Sequence, residues 1–217
     1  PGALPDDAAR RLVDIGREVF GRYLAKPGVR AFWWPRFLTI AEWFVAWQRG
    51  RLDAGWRNVL AEKKGEIDIA AVRGGFKLTA TADRIDFRDD VGLSIIDYKT
   101  GSPPSAKQVE SGLTPQLPIE AMIALAKGFP GIDAERIAEL MYVRLSGGRE
   151  PGIAKPLKLD VAEVIEKTRD GVNRLIVRYA DPKTPYLSRP RPQFDAVYGD
   201  YDHLARVQEW GAGGGDE

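Results

Sequence analysis

Three side chains in this sequence have the types and spacing to do chemistry together. Asp97 and Lys99 lie two residues apart in SIIDYKTG, Ser94 to Gly101, and Asp83 lies upstream in TADRID. Two carboxylates at short range repel unless a cation sits between them. A hard divalent ion suits such a pair, and magnesium commonly takes one or two carboxylates, waters and phosphate oxygens. A lysine beside the ion can orient a water and stabilise charge on phosphorus. An acid, an acid and a lysine, with no cysteine and His203 as the single histidine, point to metal-dependent phosphodiester hydrolysis. The competing reading is a surface ion pair, which contributes little. On spacing alone that reading is favoured, and placement at a strand end after an apolar run weakens it.

The elements that must position these residues follow from periodicity. Residues 93–98 read as an apolar strand, with Leu93, Ile95, Asp97 and Lys99 on one face and Ser94, Ile96 and Tyr98 on the other. Residues 66–72 and 76–86 alternate apolar and polar around Arg73-Gly74-Gly75, a hairpin signal. In the second of these, Lys77, Thr79, Thr81 and Asp83 share a face. Asp89, Asp90 and Gly92 form the turn that follows. Helices are expected over 6–24 and over 35–49, the latter opened by Pro35 in FWWPRF. The aromatic density there reads as core, with a docking face as the sharper alternative. A further helix is expected over 116–127, a strand over 137–145 and a long helix over 160–180. The segment 201–210 reads as a short helix.

Composition sets bounds. The net charge is +1, so a nucleic-acid surface would need local clustering of cations. The absence of cysteine excludes disulfides, thiolate zinc sites and iron–sulfur clusters, and fits a reducing cytoplasm. No apolar run approaches the ~20 residues that span a bilayer. The start at Pro1 is read as the start of a fragment, and 211–217 as a disordered tail.

The motifs TATADRIDF, LSIIDYKTG and TPQLPIEAMIA resemble the RecB-like branch of the PD-(D/E)XK nuclease superfamily. RAFWWPRF and YGDYDHLARV are similar to flanking segments of the C-terminal nuclease domain of AddB-type subunits of bacterial helicase–nucleases. The resemblance implies an α/β, restriction-endonuclease-like fold with a central mixed sheet flanked by helices. It divides 1–210 as one nuclease domain: a helical layer over 1–60, an αβββαβα core over 61–180 and an extension over 181–210, held by Phe194, Tyr198 and Tyr201.

The resemblance also implies roles. Asp83 and Asp97 would hold Mg2+, with Mn2+ able to substitute and the Tyr98 carbonyl assisting; Lys99 would be the catalytic lysine. An upstream helical acid would complete the set, Glu62 first and Glu66 as runner-up. Gln116 would begin the glutamine motif. Where that motif usually carries a tyrosine about four residues on, this chain has Glu120, with Pro118 between. Asp86 falls on the face opposite Asp83 and takes no metal role; an Arg84–Asp86 ion pair is not expected on the same parity. Arg84, Arg88 and Lys107 are the first candidates for DNA phosphates, with Lys63, Lys64, Arg144 and Arg149 behind them and Arg189 and Arg191 undecided. His203 reads as structural. The expected activity is a Mg2+- or Mn2+-dependent exonuclease-type deoxyribonuclease in double-strand-break repair. Its expected partners are single-stranded DNA and an AddA-like helicase subunit, with no membrane. The alternatives are a catalytically silent nuclease fold that binds DNA or a partner subunit, and a stand-alone exonuclease.

Overall fold

The computed structural model describes residues 3–186. The 201–210 helix, Phe194, Tyr198, Tyr201, His203, Arg189, Arg191 and the 211–217 tail lie outside the described residues. The chain divides into two compact units, Pro1–Ile176 and Val177–Glu217. In the second, Tyr179 stacks on Tyr186 with ring centroids 4.8 Å apart.

The first unit opens with α1 (Ala8–Phe20), a 3-10 turn (Gly21–Ala25), a π turn (Val29–Trp33) and α2 (Trp34–Asp53). Pro35 stands in the first turn of α2, where its missing N–H costs nothing. Gly16 lets α1 approach α2 closely: a Cβ there would lie 2.2 Å from the Phe37 ring. Phe20, Trp34 and Phe37 cluster at this crossing. The aromatic layer is therefore largely helix-packing material, although Phe32 and Trp33 remain exposed.

Five strands follow in the sheet order β1-β2-β3-β4-β5: β1 (Arg57–Ile69), β2 (Phe76–Arg88), β3 (Gly92–Lys99), β4 (Ile137–Leu145) and β5 (Gly152–Pro156). β3 and β4 pair in parallel, and the other neighbours are antiparallel. The parallel step needs a crossover, which α3 (Ala106–Glu110) and α4 (Gln116–Leu125) supply; α5 (Val161–Ala180) comes last. Gly92 makes the turn into β3 at φ +108, where a Cβ would meet the Arg136 carbonyl oxygen at 2.3 Å. Among the described residues no helix is long and apolar enough to cross a membrane.

The sheet has two covered faces. On one, Leu93, Ile95 and Leu140 pack with Leu117, Ala121 and Ile123 of α4. On the other, Ile96, Met141 and Val143 pack with Trp43 and Trp47 of α2. The alternation expected in β3 is thus observed, and it sends Asp97 and Lys99 toward α4.

Three expectations are corrected. β1 starts at Arg57, so Glu62 lies on a strand and not on a helix. LAEKK is rich in good helix formers, but edge pairing with β2 overrides that preference. β5 and α3 add to the expected elements: GIAKP is too short to show a period, and AKQVE is a single turn defined by a Ser105–Gln108 capping box. Arg84 and Asp86 do pair, at 2.7 Å, because residues i and i+2 of a strand share a face.

Candidate active site

Asp83 and Asp97 come together through strand register. The β2–β3 ladder runs Asp86↔Ser94, Ile85↔Ile95, Arg84↔Ile96 and ends there, with Asp83 and Asp97 the next residues on the two strands and near enough that Asp83 helps raise the Asp97 carboxyl. At that step a side chain replaces the backbone, for the Tyr98 N–H donates to Asp83 Oδ2 at 2.9 Å. Strand alternation is also interrupted here. Ala82 and Ile85 both enter the α4-side core, while Arg84 between them lies against Trp47 of α2. Across the β1–β2 pair, Glu62 occupies the register step of Asp83 with φ +49, an uncommon conformation for a residue with a side chain. Irregular strand geometry of this kind re-aims side chains and is frequent beside active sites.

Asp97 is buried, at 1% exposure. Burial pushes its carboxyl above the usual carboxylate range, against the pull of Lys99. Lys99 Nζ lies 2.7 Å from Asp97 Oδ2, an ion pair with the lysine partly exposed and the carboxylate enclosed. Gln116, at the start of α4, bridges the two. Its Nε2 donates to Asp97 Oδ1 at 2.6 Å, and its Oε1 accepts from Lys99 Nζ at 3.2 Å. The same Nε2 lies 3.2 Å from Glu120 Oε1, one helical turn on. Glu120 is 1% exposed, and its Oε2 has no hydrogen-bond partner. Burial first, then Asp97 and Asp83 nearby, push its carboxyl up to about 8, so it is largely protonated at neutral pH. Tyr142, opposite Asp97 on β4, places its ring beneath Lys99 Nζ at 5.8 Å.

A family model described as the PD-(D/E)XK nuclease superfamily matches residues 3–192. The chain belongs to the PD-(D/E)XK nuclease superfamily. Its mixed sheet between helices is the restriction-endonuclease-like core of that superfamily. The chain is 26% identical over 212 residues to an uncharacterized protein of Rickettsia bellii, covering 91% of this chain and 25% of the relative. It is 29% identical over 123 residues to the uncharacterized protein RC0550 of Rickettsia conorii, covering 57% of this chain and 15% of the relative. The chain therefore spans a quarter or less of the length of these relatives. A solved structure titled "Crystal structure of SSO0001" aligns over 78% of this chain and 77% of its own, at 16% identity and a TM-score of 0.32.

PD-(D/E)XK nucleases generally use divalent metals, and the residues present fit one. Asp97 is a buried carboxylate whose cationic neighbour is the partly exposed Lys99, and Asp83, just beyond the last β2–β3 pair, lies close enough to raise it, so the two acids share a site that a cation would relieve. Among the described residues no group of three or more His, Cys, Asp or Glu side chains is gathered to hold a metal. The pair suits an ion that keeps several waters. Neither upstream candidate joins it: Glu62 is exposed, and Glu66 is paired with Lys77 at 2.7 Å.

The expected DNA cations are not gathered at the site. Arg84 is 5% exposed, closed on Asp86 and donating to the Tyr98 hydroxyl at 3.3 Å. Arg88 is paired with Asp90 and lies over Trp56. Lys107 is exposed on α3. In the sequence Glu120 stands out only as a departure from the glutamine motif. Its helical spacing from Gln116 is the signal that would have assigned it to the site.

Proposed function

We propose that this nuclease-superfamily domain is a Mg2+- or Mn2+-dependent deoxyribonuclease. The observation that carries the reading is the Asp83–Asp97–Lys99–Gln116 group, assembled from two adjacent strands and a helix start, with the buried Asp97 carboxylate held between the Lys99 ammonium at 2.7 Å and Gln116 Nε2 at 2.6 Å. A divalent cation held by Asp83 and Asp97 would supply charge compensation and an activated water there. Lys99 holds an ammonium where charge develops on the phosphate oxygens. Gln116 keeps Lys99 and Asp97 in mutual register, and Tyr142 floors the lysine. Water adds to phosphorus, one P–O ester bond breaks, and the released alkoxide takes up a proton, leaving a phosphate monoester and a hydroxyl.

We place this domain in an AddB-like helicase–nuclease, cutting single-stranded DNA delivered by an AddA-like subunit in break repair. The resemblance of the RAFWWPRF and YGDYDHLARV segments supports that placement. The test is cleavage of 5′- and 3′-labelled single-stranded DNA with Mg2+ or Mn2+ by the 217-residue chain, beside Lys99→Ala and Asp97→Ala. Wild-type cleavage that disappears in both folded variants supports the site, and the fragment pattern gives polarity and separates exo- from endonuclease action. No cleavage together with no Mn2+ binding by calorimetry would sink the reading.

A further inference from the structure

With Arg84 and Arg88 committed to acids elsewhere, the open end of the site still carries cations, contributed by β4 and the turn after it. Arg144 is the β4 residue in register with Lys99 across the parallel pair. Val143 packs in the α2-side core and Tyr142 in the α4-side core, so alternation returns Arg144 to the α4 side, the side of Lys99, and the register holds its backbone one strand spacing, ~4.8 Å, from that of the lysine. Arg144 thus flanks the end of β3 where Lys99 emerges.

Arg144 is incompletely satisfied. Its Nε is buried without a hydrogen-bond partner, and its Nη2 reaches only Glu150 Oε2 at 3.4 Å. A buried donor without a partner costs free energy that a ligand can recover. Beside it opens a groove of about 510 Å³ lined by Arg144, Ser146, Arg149 and Glu150. The turn that shapes this groove is held in place: the Ser146 and Gly147 N–H groups both donate to the Pro151 carbonyl, at 2.9 and 3.1 Å. Gly147, at φ +62, passes so close to Arg36 that a Cβ would lie 2.6 Å from its carbonyl oxygen. Two guanidiniums flanking a polar groove match phosphate better than a neutral ligand, since each can present a fork of donors. Glu150 is the resident counter-ion, and its largely exposed pair is weak enough to exchange.

We propose that Arg144 and Arg149 form a phosphate-binding subsite that takes a non-scissile phosphate of the strand whose scissile bond lies at Lys99. This subsite rests on the nuclease reading and names a part of its substrate. It sets the register of the strand across the ends of β3 and β4.

The test is fluorescence anisotropy of a labelled single-stranded DNA oligonucleotide on the 217-residue chain in calcium buffer at several salt concentrations. The double variant Arg144→Ala/Arg149→Ala should bind roughly tenfold or more weakly, and the slope of its log K against log salt should become shallower by about 0.7 for each phosphate no longer neutralised. Arg149→Ala alone, on the exposed turn, should show part of both effects without any risk to folding. Glu150→Gln should bind more tightly than wild type. Mn2+ binding by calorimetry should be unchanged in all of them. Wild-type affinity and slope in the double variant would overturn the subsite while leaving the metal site standing. A wild-type chain that binds Mn2+ but no oligonucleotide would do the same. Absence of Mn2+ binding and of cleavage in the wild type itself is the separate failure of the nuclease reading.

Discussion

The two faces of the sheet use the same residue types to opposite ends. Under α2, Asp86 is fully buried and takes Arg51 Nε at 2.9 Å, Arg84 Nε at 2.7 Å and Arg84 Nη2 at 2.8 Å. Arg51 Nη1 reaches Glu139 at 2.7 Å, and Glu139 accepts from Ser94 Oγ at the same distance. Trp47 and Trp56 cover the guanidiniums, the nearest at 4.4 Å. This network is closed except for Arg51 Nη2. Under α4, the buried Asp97 leans on the partly exposed Lys99, while Glu120 Oε2 has no hydrogen-bond partner and Glu120 holds a proton it would lose in water. Closed valences hold α2 to the strands. The strands are shared, since Arg84 follows Asp83 and Tyr98 separates Asp97 from Lys99. The closed face is thereby the support on which the open face is held.

The contrast breaks most sharply when one acid or cation is removed from each face. Lys99→Ala should lower cleavage by about 10²–10³-fold, the scale of losing one preorganised charge-stabilising group. It should lower the urea midpoint by less than Asp86→Ala does, because Lys99 is partly exposed and Gln116 still donates to Asp97. Asp86→Ala should do the reverse. Stranding Arg51 and Arg84 in the interior should cost about 3–5 kcal/mol in urea unfolding, and the variant that remains folded should still bind Mn2+. If Asp86→Ala leaves stability intact, the support role assigned to the α2 face is wrong.

A smaller effect sharpens the comparison through pH. The Glu120 carboxyl lies at about 8 in the folded chain against an ordinary 4.5. Between those values the native state holds a proton that the unfolded chain has released. This group's contribution to stability therefore falls as pH rises from about 4.5 to about 8 and levels off above. The slope is at most about 1.4 kcal/mol per pH unit. Asp97, also raised, adds to the fall in the same direction. Glu120→Gln should flatten the decline, read as the urea midpoint across that range. An unchanged slope would remove Glu120 from the account.

The smallest effect concerns Glu62. Its φ of +49 is tolerated far better by glycine. Glu62→Gly should raise stability by up to about 1 kcal/mol. It should leave cleavage within a few-fold, since Glu62 does not join the acid pair. A large loss of cleavage in a stabilised variant would return Glu62 to the metal site.

Much of this was legible in one dimension, and the reasons are local. Strand period two places Leu93, Ile95, Asp97 and Lys99 on one face whatever the rest of the chain does, and IAELMYVRL needs no partner to read as a strand. The spacing of Gln116 and Glu120 on one helix is equally local. Residue types, acid, acid and lysine without cysteine, pointed to a hard cation and a phosphate ester, although their spacing alone favoured a surface ion pair. What the tertiary structure decided depends on pairing between distant segments. Only ladder register brings Asp83 near Asp97 and sets Arg144 beside Lys99. Only the packing of α2 consumes Arg84, which from the sequence is as free to meet a phosphate as any other arginine. Edge pairing turned the helix-forming LAEKK into a strand and left Glu62 outside the site. Burial of Glu120 between α4 and the sheet raised its carboxyl, because desolvation is a property of what surrounds a side chain and not of the residues next to it in the chain.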